Sequence, residues 1–407
     1  MNGRPEGETA SLGPAISNSI FPPQSLFTMP QPAVLILFAN LKGNLGDFAI
    51  LHAMLVDLER RFPGREKHVL SHGQHPVDEA RLEAFRSQPH PEFIYKGKAP
   101  FERLPGVLSV IKRLGFEKWL RAKLIDRLSK EYSHTGIIGA AADYEAVCFA
   151  GGEQWSGFGN GVNMFATLSA VARLNSKVYL FPFSVKQKLL QTYPENRLRS
   201  YFSMFSGNLV VRDSHSESIM KGINSRVLLG ADCVFSLGET AAAIPSVRAA
   251  QDKLITLAIT EADGSRGPDL LVPVKRLLEA GYRVQLVTTC EREDAKDMEM
   301  LSKTLGIPYL APATWQEVVA EFRASSLVIT NRLHCMIFTF FADVPLLPLV
   351  NREKIIGIFR DAALPYSLSG MQKCTPEKIS ECLAEPEAIL GKMRKYLEDI
   401  RLLKLAP

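Results

Sequence analysis

The stretch SLVITNRLHCMIFTFFADVPLLPLV, residues 326–350, decides how the chain folds. Leu327-Val328-Ile329 is a short apolar run of the kind a buried strand shows. A helical apolar run follows, then Val344-Pro345 and a second strand. Between strand and helix stand Asn331, Arg332 and His334, three polar residues in four. Polar groups at the carboxyl end of a buried strand, opening a helix, lie where open α/β sheets bind ligands. Arg332 brings a rigid five-donor fork that suits carboxylate or phosphate, and His334 is a titratable acid/base. Together they suit a small anion with a proton to be moved. The bland alternative is a salt-bridge arginine beside a histidine satisfied at a helix start.

The same alternation fills the second half. Strands are expected at 254–259, 282–288, 307–310, 327–330 and 346–350, with helices at 269–279, 294–305, 315–324, 333–341 and 354–360. Strand and helix in turn imply a doubly wound parallel sheet. Two further helices are expected beyond Thr375.

The first half opens with AVLILFANLKGNLGDFAIL, residues 33–51. Val34 to Phe38 reads as a buried strand and 43–47 as a tight glycine loop. Asp47 is the expected N-cap of a helix that buries Phe48, Leu51, Leu55, Leu58 and Phe62. Strand, glycine loop and helix begin a nucleotide-binding type of unit, but the loop is neither GxGxxG nor a Walker loop, so no cofactor follows from it. Further strands are expected at 68–71, 93–95, 145–149, 177–185 and 226–230, with helices at 77–88 and 162–174.

Gly151-Gly152-Glu153 ends the strand at 145–149, where glycines let a ligand approach backbone N–H groups. Arg212 likewise closes a strand, in NLVVRDSHSES. Asp232 reads first as a loop cap and second as an acceptor of sugar hydroxyls. The domains expected are thus a Rossmann-like half at 31–236, a linker at 237–253, a second Rossmann-like half at 254–373 and closing helices at 374–407. Residues 1–30, rich in Pro, Gly and Ser, read as a disordered lead.

With 407 residues the chain suits two α/β domains better than one. Apolar residues at 46% and charged residues at 22% are ordinary for a globular protein, and a net charge of +5 is too mild to imply nucleic acid as partner. No pair of the six cysteines has metal-ligand spacing, so reduced core cysteines are expected and no metal site is assigned. No apolar run is long enough to cross a membrane, and no secretory signal stands at the N-terminus. One segment is unusual. From Lys98 to Lys130, nine basic residues run beside Leu108, Ile111, Leu114, Phe116, Trp119, Leu120, Leu124 and Leu128. Helices with this pattern lie on anionic lipid surfaces; a solvated face backed by core contacts is the plainer reading.

Taken in order, GNLGDFAIL, FAGGEQW, VVRDSHSES, ADCVF and TNRLHCMIFTFFADVPLLPLV followed by Lys354 resemble the polysaccharide pyruvyl transferase family over about residues 33–360. Glu153 replaces a glycine frequent in the family, Cys233 a common proline, and residues 351–354 match its tyrosine-and-lysine ending only loosely. The resemblance implies a two-domain fold like glycosyltransferase type B. It implies transfer of a pyruvyl group from phosphoenolpyruvate to sugar hydroxyls of a polysaccharide or lipid-linked oligosaccharide, as a ketal, with no further cofactor. On that reading Arg332 and His334 are catalytic. Arg212, Arg332, His334, Lys354, Gly151 and Gly152 hold the donor, and Asp47, Asn44, Glu153 and Asp232 face the acceptor. A cytoplasmic protein is expected, with peripheral contact at the inner membrane face through 98–130. The alternatives are a type B nucleotide-sugar glycosyltransferase or epimerase, and a non-catalytic polysaccharide assembly protein.

Overall fold

The structure, a computed structural model, describes residues 32–40, 43–71, 88–89, 116–134, 136–155, 161–247, 249, 251–260, 267–350 and 353–402. The expected lead at 1–30, nearly all of the helix at 77–88, the strand at 93–95 and the first part of the basic segment, 98–115, lie outside them.

Strands in the first half are β1 (Val34–Ala39), β2 (Lys67–Ser71), β3 (Gln88–Pro89), β4 (Ala146–Phe149), β5 (Gly152–Trp155), β6 (Val178–Leu180), β7 (Phe183–Val185), β8 (Leu209–Val211) and β9 (Val227–Leu229). The main helices there are α1 (Leu45–Arg61), α2 (Glu117–Tyr132), α3 (Gly161–Leu174) and α4 (Ser214–Lys221). They build two sheets, ordered β3-β2-β1-β4-β6 and β5-β7-β8-β9. One expected strand at 177–185 is therefore two, in different sheets. The chain turns at Phe181-Pro182, and proline supplies no N–H for a ladder there. The expected loop after Gly151 likewise begins with β5.

The second half holds β10 (Leu254–Ala258), β11 (Arg283–Val287), β12 (Tyr309–Leu310), β13 (Leu327–Thr330) and β14 (Leu346–Pro348), in the order β12-β11-β10-β13-β14. Its helices are α5 (Gly267–Glu279), α6 (Glu291–Leu305), α7 (Trp315–Phe322), α8 (Leu333–Ala342) and α9 (Glu353–Asp361), followed by α10 (Pro376–Ala384) and α11 (Pro386–Leu402). All strand pairings are parallel.

Both five-stranded sheets reverse their winding beside a central strand, β1 in one and β10 in the other. Crevices open at the carboxyl ends of strands at such reversals. Asn40, Gly151, Thr260 and Asn331 follow the strands that flank the two reversals, β1, β4, β10 and β13.

Residues of β1 alternate between two cores, as strand geometry requires. Leu35 and Leu37 join a cluster confined to the first half, whereas Val34 and Ile36 join one that runs into the second half. Helix α1 lies in the shared cluster through Phe48, Leu51, Met54 and Leu58, while Leu55 and Phe62 are only partly buried. Each fully buried side chain of this size contributes about 1.5–3 kcal/mol, so α1 ties the halves together. A 3-10 turn, Cys233–Leu237, leads into the expected linker, 237–253, which opens with a short helix, Gly238–Ala242. The last helix returns across both halves. Tyr396 meets Phe235 and Phe340 edge-on at 5.7 Å, and Arg394 grips Asp343, the left-handed residue that ends α8. All six cysteines are free and buried.

Candidate active site

Thr330 ends β13 and its hydroxyl accepts the Arg332 N–H at 3.0 Å, which fixes the entry into α8. Asn331 is fully buried. Its side chain accepts from the Thr260 N–H at 2.9 Å and donates to the Thr260 carbonyl at 3.1 Å. It therefore locks the end of β10 to the end of β13.

Arg332 reaches past the end of β10 to Asp294 and, at 3.4 Å, to Glu293, both at the start of α6. Asp294 also accepts from the Thr288 hydroxyl at 3.2 Å. Burial pushes the Asp294 carboxyl above its ordinary value, and Arg332 offsets only part of this. Arg332 Nε is shielded from solvent with no hydrogen-bond partner among the described residues. A buried donor left unmade is costly, so this one is open to an acceptor.

His334 sits one residue further, pressed against α1. A Cβ at Gly46 would lie 1.9 Å from His334 Nδ1 and 2.3 Å from Cγ, so only glycine fits. The expected glycine loop is here given a role the sequence did not show: it admits the imidazole of the other half. Asn44, not Asp47, caps α1, its side chain accepting from the Gly46 N–H at 3.1 Å. The backbone explains the shift, since Asp47 already lies in the first helical turn. The Leu45 N–H donates to the Thr289 carbonyl at 2.9 Å, a second bond between the halves at this point.

On its far side His334 Nε2 lies 3.7 Å from Asp232 Oδ2, close enough for charge to be felt but too long for a hydrogen bond, and it has no hydrogen-bond partner among the described residues. Asp232 is fully buried, bonded to Arg212 and accepting the Val234 N–H at 3.0 Å. Burial alone would raise its pKa. The Arg212 guanidinium and the adjacent His334 outweigh this and hold it well below the usual carboxylate range. Arg212 also donates to Ser184 Oγ at 3.1 Å, Ser184 donates to Asp213 at 2.7 Å, and Asp213 caps α4 through the Ser216 N–H. A continuous polar chain thus runs from His334 through Asp232, Arg212 and Ser184 to Asp213.

The matching region of known proteins covers this site. The family model for polysaccharide pyruvyl transferase matches residues 44–353. The chain belongs to the polysaccharide pyruvyl transferase family. Among curated proteins no significant match is found. Solved structures show the fold, that of two-domain sugar-nucleotide epimerases and glycosyltransferases. The UDP-GlcNAc 2-epimerase of Neisseria meningitidis superposes at a TM-score of 0.53 with 13% identity, over 91% of this chain and 98% of that one. That of Methanocaldococcus jannaschii gives 0.51 with 12% identity, over 92% and 100%. A glycosyltransferase from Rickettsia africae gives 0.52 with 12% identity, over 93% and 96%.

In this pyruvyl transferase the other expected site residues fall into separate places. Asp47 accepts from Asn40 Nδ2 at 2.6 Å, and both line a cavity of about 10 Å³, room for one water, with Ala150 and Gly151. Gly152 has φ +97° and its N–H is committed to the Pro182 carbonyl at 3.1 Å, so that amide is not free to hold a donor oxygen. A Cβ at Gly151 would lie 2.2 Å from the same carbonyl. The glycine pair lets the chain cross from one sheet to the next. Glu153 pairs with Lys186 at a half-exposed position. Lys354 lies in α9, and its side chain is outside the described residues. Asp294, Glu293, Ser184 and Asp213 went unmarked in the sequence. The available signal was position: Asp213 lies just beyond the carboxyl end of β8, and Glu293 and Asp294 in the first turn of the helix after β11, whereas Ser184, in the middle of β7, carried none.

Gly46→Ala should force ring or helix to move by about an ångström, a displacement that can lower turnover roughly 100-fold. The added bulk should also destabilise the fold by about 1–3 kcal/mol. Thermal melts in a His334→Ala background check the cause, because there the same substitution should cost little.

Proposed function

We propose that the enzyme transfers a pyruvyl group from phosphoenolpyruvate to two hydroxyls of a polysaccharide or lipid-linked oligosaccharide, forming a ketal. The observation that carries this reading is the pair of shielded, unmade groups two residues apart at one strand end, Arg332 Nε and His334 Nε2. The donor has a carboxylate and a phosphate, which call for a fixed guanidinium. It also has an enol carbon that must gain a proton, which calls for an acid/base.

Protonation of the donor's methylene carbon makes C2 oxocarbenium-like. One sugar oxygen attacks C2 and loses its proton. A second attacks as inorganic phosphate departs, and that hydroxyl's proton leaves with the phosphate. His334 delivers the first proton and receives the one released by the first hydroxyl, so it ends as it began. Arg332 holds the donor's anionic oxygens. Arg212, bound to Asp232 and Ser184, acts behind them by fixing Asp232 beside the imidazole. The Asp47, Asn40 and Gly151 group at the first reversal suits acceptor hydroxyls. The likeness to epimerases and glycosyltransferases extends to fold, so nucleotide sugars serve as controls.

Thermal unfolding with and without phosphoenolpyruvate tests the donor. A ligand that binds only the folded state raises the midpoint. The expected result is a rise with phosphoenolpyruvate that is lost in Arg332→Ala, and no rise with UDP-sugars. A rise with a UDP-sugar alone would overturn the donor assignment.

A further inference from the structure

Helix α2 presents two large aromatic side chains to solvent. Phe116, at its N-cap, and Trp119, one turn on, are each 58% exposed. They are the exposed aromatics among the large hydrophobic side chains described; the others are Leu228, Leu229, Val247 and Val272. If the basic segment were a solvated face with its apolar residues in the core, both rings would be buried. The core side of α2 is instead Ala122, Ile125 and Ser129. Lys123, Arg127 and Lys130 are exposed alongside the rings, and Lys123 Nζ lies 5.9 Å from the Trp119 ring centre. The acids of the helix do little to neutralise them: Glu117 is paired with Arg121 and Asp126 with Arg197, which leaves Glu131 exposed.

We propose that the outer face of α2 is a docking surface for an anionic lipid bilayer. Trp119 and Phe116 enter the headgroup region and Lys123, Arg127 and Lys130 meet lipid phosphates. Aromatic rings ringed by Lys and Arg on one helix face have the chemistry of an interfacial anchor, and each basic side chain adds attraction to anionic lipid that salt screens. The position also fits. Lys118 Nζ donates to the Leu190 carbonyl at 3.0 Å, and the preceding residue, Leu189, donates its N–H to the Lys186 carbonyl at 2.8 Å. Lys186 is the partner of Glu153. These contacts join the start of α2 to the neighbourhood of Glu153, the residue expected to face acceptor. Only this link to a lipid-anchored acceptor rests on the function proposed above; the surface itself does not.

The chain carries its own reporter. Of its three tryptophans, Trp155 and Trp315 are 1% exposed, so Trp119 is the one whose emission can answer to lipid. The full chain is titrated with vesicles of roughly one part phosphatidylglycerol to two of phosphatidylcholine, and with phosphatidylcholine alone. The expected result is a blue shift with the anionic vesicles, weakened by salt, and about tenfold weaker binding in Lys123→Glu/Arg127→Glu. Flotation should show a comparable loss for Phe116→Ser/Trp119→Ser, with unchanged turnover on a short soluble acceptor. No shift with anionic vesicles, or equal binding by wild type and both variants, overturns the proposal. So does a blue shift that grows with protein concentration without lipid, which would mark the face as a contact between copies. The vesicle titration contains no donor, so it is decided independently of phosphoenolpyruvate.

Discussion

Replacing His334 with alanine should lower pyruvyl transfer by about 10²–10⁴-fold, the range for loss of a positioned general acid/base. The donor KM should change little, because Arg332 and its contacts with Asp294 and Glu293 remain. The fold should also remain. The His334 ring is pressed on Gly46, packs 6.5 Å from Phe338 and makes no hydrogen bond that its removal would leave unpaired. His334→Gln is the sharper variant, since it keeps a polar side chain but cannot carry the proton. Single-turnover assays with purified, folded variants check the assignment. Turnover within a few-fold of wild type would remove His334 from the chemistry.

Arg332→Ala should behave differently. It takes away the fixed cation and leaves Asp294 buried with neutral hydroxyl partners, Thr288 and Thr260. Donor binding and stability should both fall, and the two can be separated by comparing melts without ligand.

Much of this geometry is legible in the sequence. The apolar runs around 34–38 and 327–329 fixed two buried strands, because a continuous apolar stretch bounded by glycine and polar residues has few other uses. Arg332 and His334 were legible because polar residues at a strand end stand out against such runs. What was hidden was pairing across the chain. Asp232 read as a cap, and it is one, but its other oxygen joins Arg212 and faces His334, a hundred residues away. Gly46 looked like turn chemistry, whereas the space it leaves is filled from the other half. Strand pairing hides such contacts, since sequence gives the order of elements and not their neighbours. The division of 177–185 into two strands was hidden for a simpler reason: both pieces are apolar, and two residues between them were enough to change sheets.

Asp232→Ala should destabilise the protein more than any other single change at the site. Arg212 would be left buried with its charge uncompensated on that side, a loss of about 3–5 kcal/mol for a broken buried pair, against a total of about 5–15 kcal/mol for ordinary folding stability. Asp232→Asn should be milder, because its one amide oxygen can still accept from Arg212, although the NH2 then faces the Val234 N–H. It also isolates the charge. The native carboxyl titrates well below its unfolded value of about 3.9, so near that pH the unfolded chain binds a proton that the folded chain does not. Stability from this group is therefore full above about pH 4 and is lost as pH falls through the folded value. Asp294 works in the opposite sense: its raised folded value favours the protonated form, and its contribution declines as pH rises through that value. Melting midpoints followed downward from about pH 5 should thus fall steeply for wild type and less steeply for Asp232→Asn. Equal slopes would mean that the Asp232 carboxylate is not the charge that holds Arg212, and the polar chain behind His334 would lose its central link.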